Sequence, residues 1–134
     1  MKSFSLILFL LFSILSFGQI DKIGFSKIEI LNSFDAGPCK SSYNAIWFCT
    51  ENDGFINYTF TNNKVSSVLY MWAFNSKMEA DSDVRNETSK YTRIYGKPTM
   101  KGDQAFWFVG NYIVMCSYGN PNGKHYSTWQ VSTR

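Results

Sequence analysis

The chain has 134 residues, 45% hydrophobic and 18% aromatic, with 13 Lys+Arg against 10 Asp+Glu and a formal net charge of +3. That length is one domain, and the composition excludes a disordered or low-complexity chain. The charge is too small and too dispersed for a nucleic-acid surface, and one His with three Cys leaves little material for a zinc site or a His-dependent triad.

Met1-Lys2-Ser3 is a short basic start, followed by an apolar run from Phe4 to Leu15 that only Ser5 and Ser13 interrupt. Ser16-Phe17-Gly18 then sets small residues at positions −3 and −1 before Gln19, the pattern a signal peptidase accepts. The run stops well short of the roughly 20 residues a spanning helix needs. Residues 1–18 are therefore expected to be a signal peptide, resembling a bacterial export signal, and residues 19–134 a single α+β domain. Gln19 is not Cys, which argues against a lipid anchor on the new N-terminus. The mature protein is expected to be exported, periplasmic or secreted, with no stable membrane anchor after cleavage. It keeps all eight Tyr and all four Trp.

Gln19–Pro38 fits either a short helix near 24–33, with Phe25, Ile28 and Leu31 on one face, or an extended β-branched segment. Tyr43–Thr50, Phe55–Thr61 and Lys64–Phe74 read as strands, rich in aromatic and β-branched residues. Asn52-Asp53-Gly54 and Asn62-Asn63 join them as tight hairpin turns. The period then switches to helical over about 77–95. Ser76-Lys77-Met78-Glu79 has the form of a capping box, and Gly96 and Pro98 stop the helix. Gln104–Val109, Tyr112–Tyr118 and His125–Val131 complete the strands, with the loop Gly119–Gly123 before the last. The fold class is α+β: an antiparallel, mostly meander sheet of about six strands packed by one main helix, in the order βββ-α-βββ. No internal repeat is evident.

Strand alternation puts Val68, Tyr70, Trp72 and Phe74 on one face and Leu69, Met71 and Ala73 on the other. Ala105, Trp107 and Val109 oppose Phe106 and Phe108, and Tyr112, Val114, Cys116 and Tyr118 oppose Ile113 and Met115. The central strands thus look apolar on both sides, unlike a sheet with one wet face. One helix about 10 Å wide shelters about two to three strands on one side. The second face needs another cover: the 19–42 segment with sheet curling, or else a partner, a ligand or a second copy. Tyr70, Trp72, Trp107 and Tyr112 are the candidate binding residues.

Three Cys allow at most one internal bridge, and an exported chain often oxidises its thiols. Cys39–Cys49 is the favoured pair; Cys49 with Cys116, or three buried free thiols, are the alternatives. Glu79, Asp81, Asp83 and Glu87 form the densest acidic group, read as charge complementing the helix start on a solvated face rather than a metal site. His125, the only histidine, has no orienting partner or nucleophile in any motif. No G-x-S-x-G, P-loop or H-E-x-x-H pattern is present. Asn57-Tyr58-Thr59 and Asn86-Glu87-Thr88 match the glycosylation acceptor pattern, which is frequent by chance.

These readings point to a small exported bacterial protein that is not an enzyme and takes no cofactor or metal. It is expected to be a binding or protein-interaction module, using an aromatic sheet face or the loops at Asn52-Asp53-Gly54 and Gly119–Gly123. An inhibitor of a secreted hydrolase is one concrete version. The expected partner is a protein or a second copy meeting the sheet face, and not nucleic acid. Two alternatives stand beside this reading. One is a small secreted hydrolase working with Glu51 and Asp53, which requires raised acidity and a deep pocket. The other is a dimeric structural envelope component.

Overall fold

The computed structural model describes residues 22–134, so the signal peptide expected at residues 1–18 lies outside the described residues. Within them, a short helix α1 (Lys27–Leu31) precedes four strands: β1 (Lys40–Ser41), β2 (Ala45–Cys49), β3 (Phe55–Thr61) and β4 (Lys64–Phe74). The main helix α2 (Lys77–Tyr95) follows, and then β5 (Thr99–Lys101), β6 (Gln104–Val109), β7 (Tyr112–Gly119) and β8 (His125–Thr133). All eight strands join one antiparallel sheet in the order β1-β2-β3-β4-β8-β7-β6-β5.

The α+β class, the antiparallel sheet and the single long helix agree with the sequence reading. The strand count and the order βββ-α-βββ are corrected to eight strands, four on each side of α2. The two additional strands are the edges β1 and β5, of two and three residues. They are too short to show a period of two, and brevity is itself a common way to blunt a sheet edge.

Local chemistry explains where the chain turns. Asn62 and Asn63 take φ of 51° and 60°, the left-handed pair of a tight hairpin that asparagine tolerates. In the β2–β3 turn the positive φ falls on Asp53, at 57°, and not on Gly54. Gly54 is needed for another reason: a Cβ there would lie 2.6 Å from the Met71 carbonyl oxygen. At the start of α2 the Ser76 hydroxyl accepts from the Glu79 amide at 3.2 Å, giving half of the expected capping box. The complete box is at α1, where the Glu29 amide donates to Ser26 Oγ at 3.4 Å and the Ser26 amide donates to Glu29 Oε2 at 2.7 Å. That hydroxyl and amide also hold the Glu29 carboxyl below its ordinary pKa.

Both helices lie against the same sheet face. Under them run two cross-strand rows, Ile46–Tyr58–Val68–Val131–Val114–Trp107 and Phe48–Ile56–Tyr70–Trp129–Cys116–Ala105. Ile30 of α1 and Tyr91 of α2 complete this core, and Phe34 stacks on Phe48 with ring centroids 3.9 Å apart. The segment expected to wrap the second face therefore covers the first half of the same face that α2 covers.

A repeated arrangement of elements, absent from the sequence reading, is visible in the topology. A helix followed by a four-stranded meander occurs twice, and the halves meet where β4 pairs with β8. Ala45-Ile46-Trp47-Phe48 and Ala105-Phe106-Trp107-Phe108 stand in the second strand of each half. Their phases differ. Ile46 and Phe48 point into the core in the first tetrad, whereas Ala105 and Trp107 do so in the second.

Candidate functional site

The face away from the helices is built by the other parity of each strand. Its central row reads Trp47–Asn57–Leu69–Gln130–Met115–Phe106, flanked by Phe55–Met71–Thr128–Ser117 and Thr59–Ser67–Ser132–Ile113–Phe108. Leu69 and Met71 of β4, Phe106 and Phe108 of β6, and Ile113 and Met115 of β7 give this face its apolar groups, as the sequence reading holds. Across the strands it is mixed, because β3 and β8, with Ser67 of β4 and Ser117 of β7, set polar side chains among them. Those polar groups are engaged: Asn57 Nδ2 donates to the Ile46 carbonyl at 3.2 Å, and Gln130 Nε2 donates to Ser67 Oγ at 3.0 Å. Ser117 and Thr128 share a 2.6 Å hydrogen bond between hydroxyls. Most of the apolar groups are half-buried, and Phe108 is 55% exposed.

The two faces differ in charge, with both signs on the helix side, where Lys124 and Lys90 line the same clefts as the carboxylates. No Asp or Glu lies in any of the eight strands. Cations rim the face without helices: Lys40 Nζ sits 4.9 Å from the Trp47 ring, and Arg134 Cζ lies 4.9 Å from the Phe108 ring. Strand parity sets Lys101 on the same side. Glu51, Asp53, Glu79, Asp83 and Glu87 instead line clefts between α2 and one end of the sheet.

The four residues singled out from sequence do not share a surface. Tyr70 and Trp107 are buried beneath α2, Trp107 to 2% exposure, with its Nε1 donating to the Gly96 carbonyl at 2.8 Å. Tyr112 is half-buried against the same core. Trp72 alone is open, 43% exposed where β4 runs out beside the helix start. The residues of the bare face that were not chosen as binding candidates, Trp47, Leu69, Met115 and Phe106, carried one usable signal. Each sits at a strand position of opposite parity to the fully buried ones.

The loops converge as expected of two hairpin tips on one sheet. Asp53 of the β2–β3 turn meets Lys124 after the Gly119–Gly123 loop at 2.8 Å. That hydrogen bond, with the ammonium charge behind it, lowers the Asp53 carboxyl from its ordinary value. Both Glu51 and Asp53 are exposed, and the Asp53 carboxyl is shifted down, the opposite direction from that of a carboxyl held protonated as a general acid. The cleft they line holds about 730 Å³ and opens widely to solvent. His125 is partly buried, its Nδ1 hydrogen-bonded to the Tyr118 hydroxyl at 2.7 Å.

Cys39 and Cys49 form a disulfide, with Cα atoms 5.8 Å apart, tying β1 to the end of β2. An oxidised pair fits an oxidising, exported compartment. Cys116 is a free, buried thiol, and burial, followed by the Glu87 charge, pushes its pKa up to about 12. Such a thiol is a poor nucleophile. Among the described residues no helix is long and apolar enough to cross a membrane, and no cluster of three His, Cys, Asp or Glu side chains could hold a metal. Comparison with models of protein families, with curated proteins and with solved structures finds no match.

Proposed function

We propose that this is an exported, non-catalytic protein-interaction module that binds through the bare face of its sheet. One observation carries the reading: both helices pack on one face, and the other presents half-buried Trp47, Leu69, Met115 and Phe106 inside a rim of cations. Eight strands at about 4.8 Å spacing and strands of about six residues give a face on the order of 700 Å². A standard protein–protein interface takes about 800 Å² from each partner, so this face supplies most of one.

The rim selects the partner. Two copies meeting face to face would bring Lys40, Lys101 and Arg134 against one another with no strand carboxylate to offset them. A partner protein with an apolar centre and an acidic rim has no such conflict, since complementary charge sets specificity and encounter rate. A secreted enzyme that the module inhibits is one partner of this kind.

Leu69→Glu and Phe106→Glu test the reading. The tagged wild-type protein, recovered from cells that export it, is expected to retain a defined partner that both variants lose while their circular dichroism is unchanged. Raised salt should weaken retention, because rim charges are screened within about 10 Å at 0.1 M. Retention equal in both variants would overturn the reading. A species of twice the chain mass, lost in both, would assign the face to a second copy.

A further inference from the structure

We propose that Tyr43, at the tip of the β1–β2 hairpin, anchors the partner protein, its ring entering an apolar pocket edged by carboxylates; this rests on the reading of the bare sheet face as an interface. Tyr43 is 100% exposed, the most open of the large apolar side chains described. It adds no buried surface to the fold, so packing does not account for an aromatic ring there. Single apolar groups on a surface are ordinary. This one differs in standing on a fixed support.

The tip is pinned from three elements. The Ser42 amide donates to the Ala45 carbonyl of β2 at 2.8 Å, and the Phe60 amide of β3 donates to the Asn44 carbonyl at 2.8 Å. Lys27 Nζ of α1 donates to the Ser42 carbonyl at 2.9 Å. The Cys39–Cys49 disulfide closes the hairpin at its other end. The backbone on either side of Tyr43 is thus held while its side chain stays free in water. A pre-set backbone and a side chain with only two soft dihedrals lose little freedom on docking. Tyrosine is also among the residues that most often dominate binding energy.

Position, area and charge tie the tip to the bare face. Lys40 and Trp47 pair across the same hairpin on that face, and Tyr43 lies about 13 Å along the strand from Trp47 at the usual rise. A standard interface is roughly 30 Å across, so a partner seated over Trp47 reaches the tip. The face alone supplies on the order of 700 Å², and an open aromatic adds roughly 150–250 Å², which completes the area one partner gives. The hairpin is basic. No Asp or Glu occurs between Asp35 and Glu51, Lys27 holds its ammonium at the Ser42 carbonyl, and Lys40 holds its own over Trp47. The acidic rim that suits the bare face therefore suits the tip as well.

A photo-crosslinking amino acid at Leu69, in cells that export the protein, reports whether the face is occupied. Tyr43→Ala is expected to lower the yield of the Leu69 adduct at least roughly ten-fold, as loss of a binding hot spot does. Tyr43→Phe keeps the ring and should stay within about three-fold of wild type. Met78→Ala, at an open position on α2, should change nothing. Circular dichroism and the urea midpoint should be unchanged in both Tyr43 variants, because the side chain is fully exposed. A wild-type adduct yield in Tyr43→Ala would overturn the proposal and leave the interface on the bare face standing. Equal loss in Tyr43→Phe would overturn the apolar pocket. No Leu69 adduct even with Tyr43 intact would overturn the interface and its anchor together. An adduct of twice the chain mass, lost in Tyr43→Ala, would overturn the separate partner and put a second copy in its place.

Discussion

Trp47 and Trp107 stand at the same place in two Ala-x-Trp-Phe tetrads, yet they project from opposite faces of one sheet. Trp107 seals the core under α2 and bonds the Gly96 carbonyl that follows the helix, whereas Trp47 lies under Lys40 on the side without helices. Because side chains alternate along a strand, a shift of one residue in register exchanges the two roles.

Truncation should therefore cost very different amounts at the two positions. Trp107→Ala empties a closed site and is expected to lose about 3–5 kcal/mol. Trp47→Ala, at a half-open site, is expected to lose about 1 kcal/mol. Urea unfolding of both variants measures the difference, and equal losses would contradict the assignment of faces.

The disulfide should hold the sheet edge. Closing a loop of this length is worth about 3 kcal/mol in the chain-entropy account. Reduction, or Cys49→Ser, is expected to lower stability by about that amount and to speed amide exchange at Lys40 and Ser41 before any central strand. Cys116 should resist iodoacetamide near pH 8 until the protein unfolds. Its modification in the native protein would contradict the burial that raises its pKa.

Alkali should unfold the protein. Burial raises the pKa of the Cys116 thiol and of the Tyr58, Tyr70 and Tyr91 hydroxyls, with the Tyr58 hydroxyl adding to the effect at Tyr70. A raised folded-state pKa means that the native state holds the proton more tightly. The resulting stability is fully present below the ordinary values of 9.0 for the thiol and 10.0 for the phenols, and is lost as pH rises above them. The urea midpoint should thus fall between about pH 9 and about pH 11, and less steeply in Tyr70→Phe. A flat profile would contradict the prediction.

The capping geometry gives a sharper contrast. Ser76→Ala is expected to cost about 1 kcal/mol, since the hydroxyl satisfies the Glu79 amide. Glu79→Ala should cost clearly less, because the Glu79 side chain returns no bond to the cap and only its charge beside the helix start is lost. Thermal melts of both variants check this, and equal shifts would restore the full box.

The long elements were legible because their signals are local. Asn62-Asn63 and the Ser76-to-Gly96 span fix a hairpin and a helix by short-range chemistry, and β3, β4 and β6 begin and end where the aromatic and β-branched runs do. The β1 and β5 edges carry no period to read. The parity of each strand was also legible, but not which parity the helices cover. That depends on α1 and Phe34 packing with α2 on a single face, a long-range choice that apolar alternation on both sides leaves open. So Tyr70 and Trp107 looked like surface and proved to be core, while Trp47 and Phe106 carry the bare face. The out-of-phase tetrads also hid the repeated arrangement.

The central claim is that the bare sheet face meets another protein. A photo-crosslinking amino acid placed at Leu69, in the middle of that face, or at Ser82, exposed on α2, tests it directly in cells that export the protein. The account predicts one defined heavier adduct from Leu69 and none from Ser82, with the Leu69 adduct lost when Phe106→Glu is added. No adduct from Leu69, or the same adduct from Ser82, would contradict it.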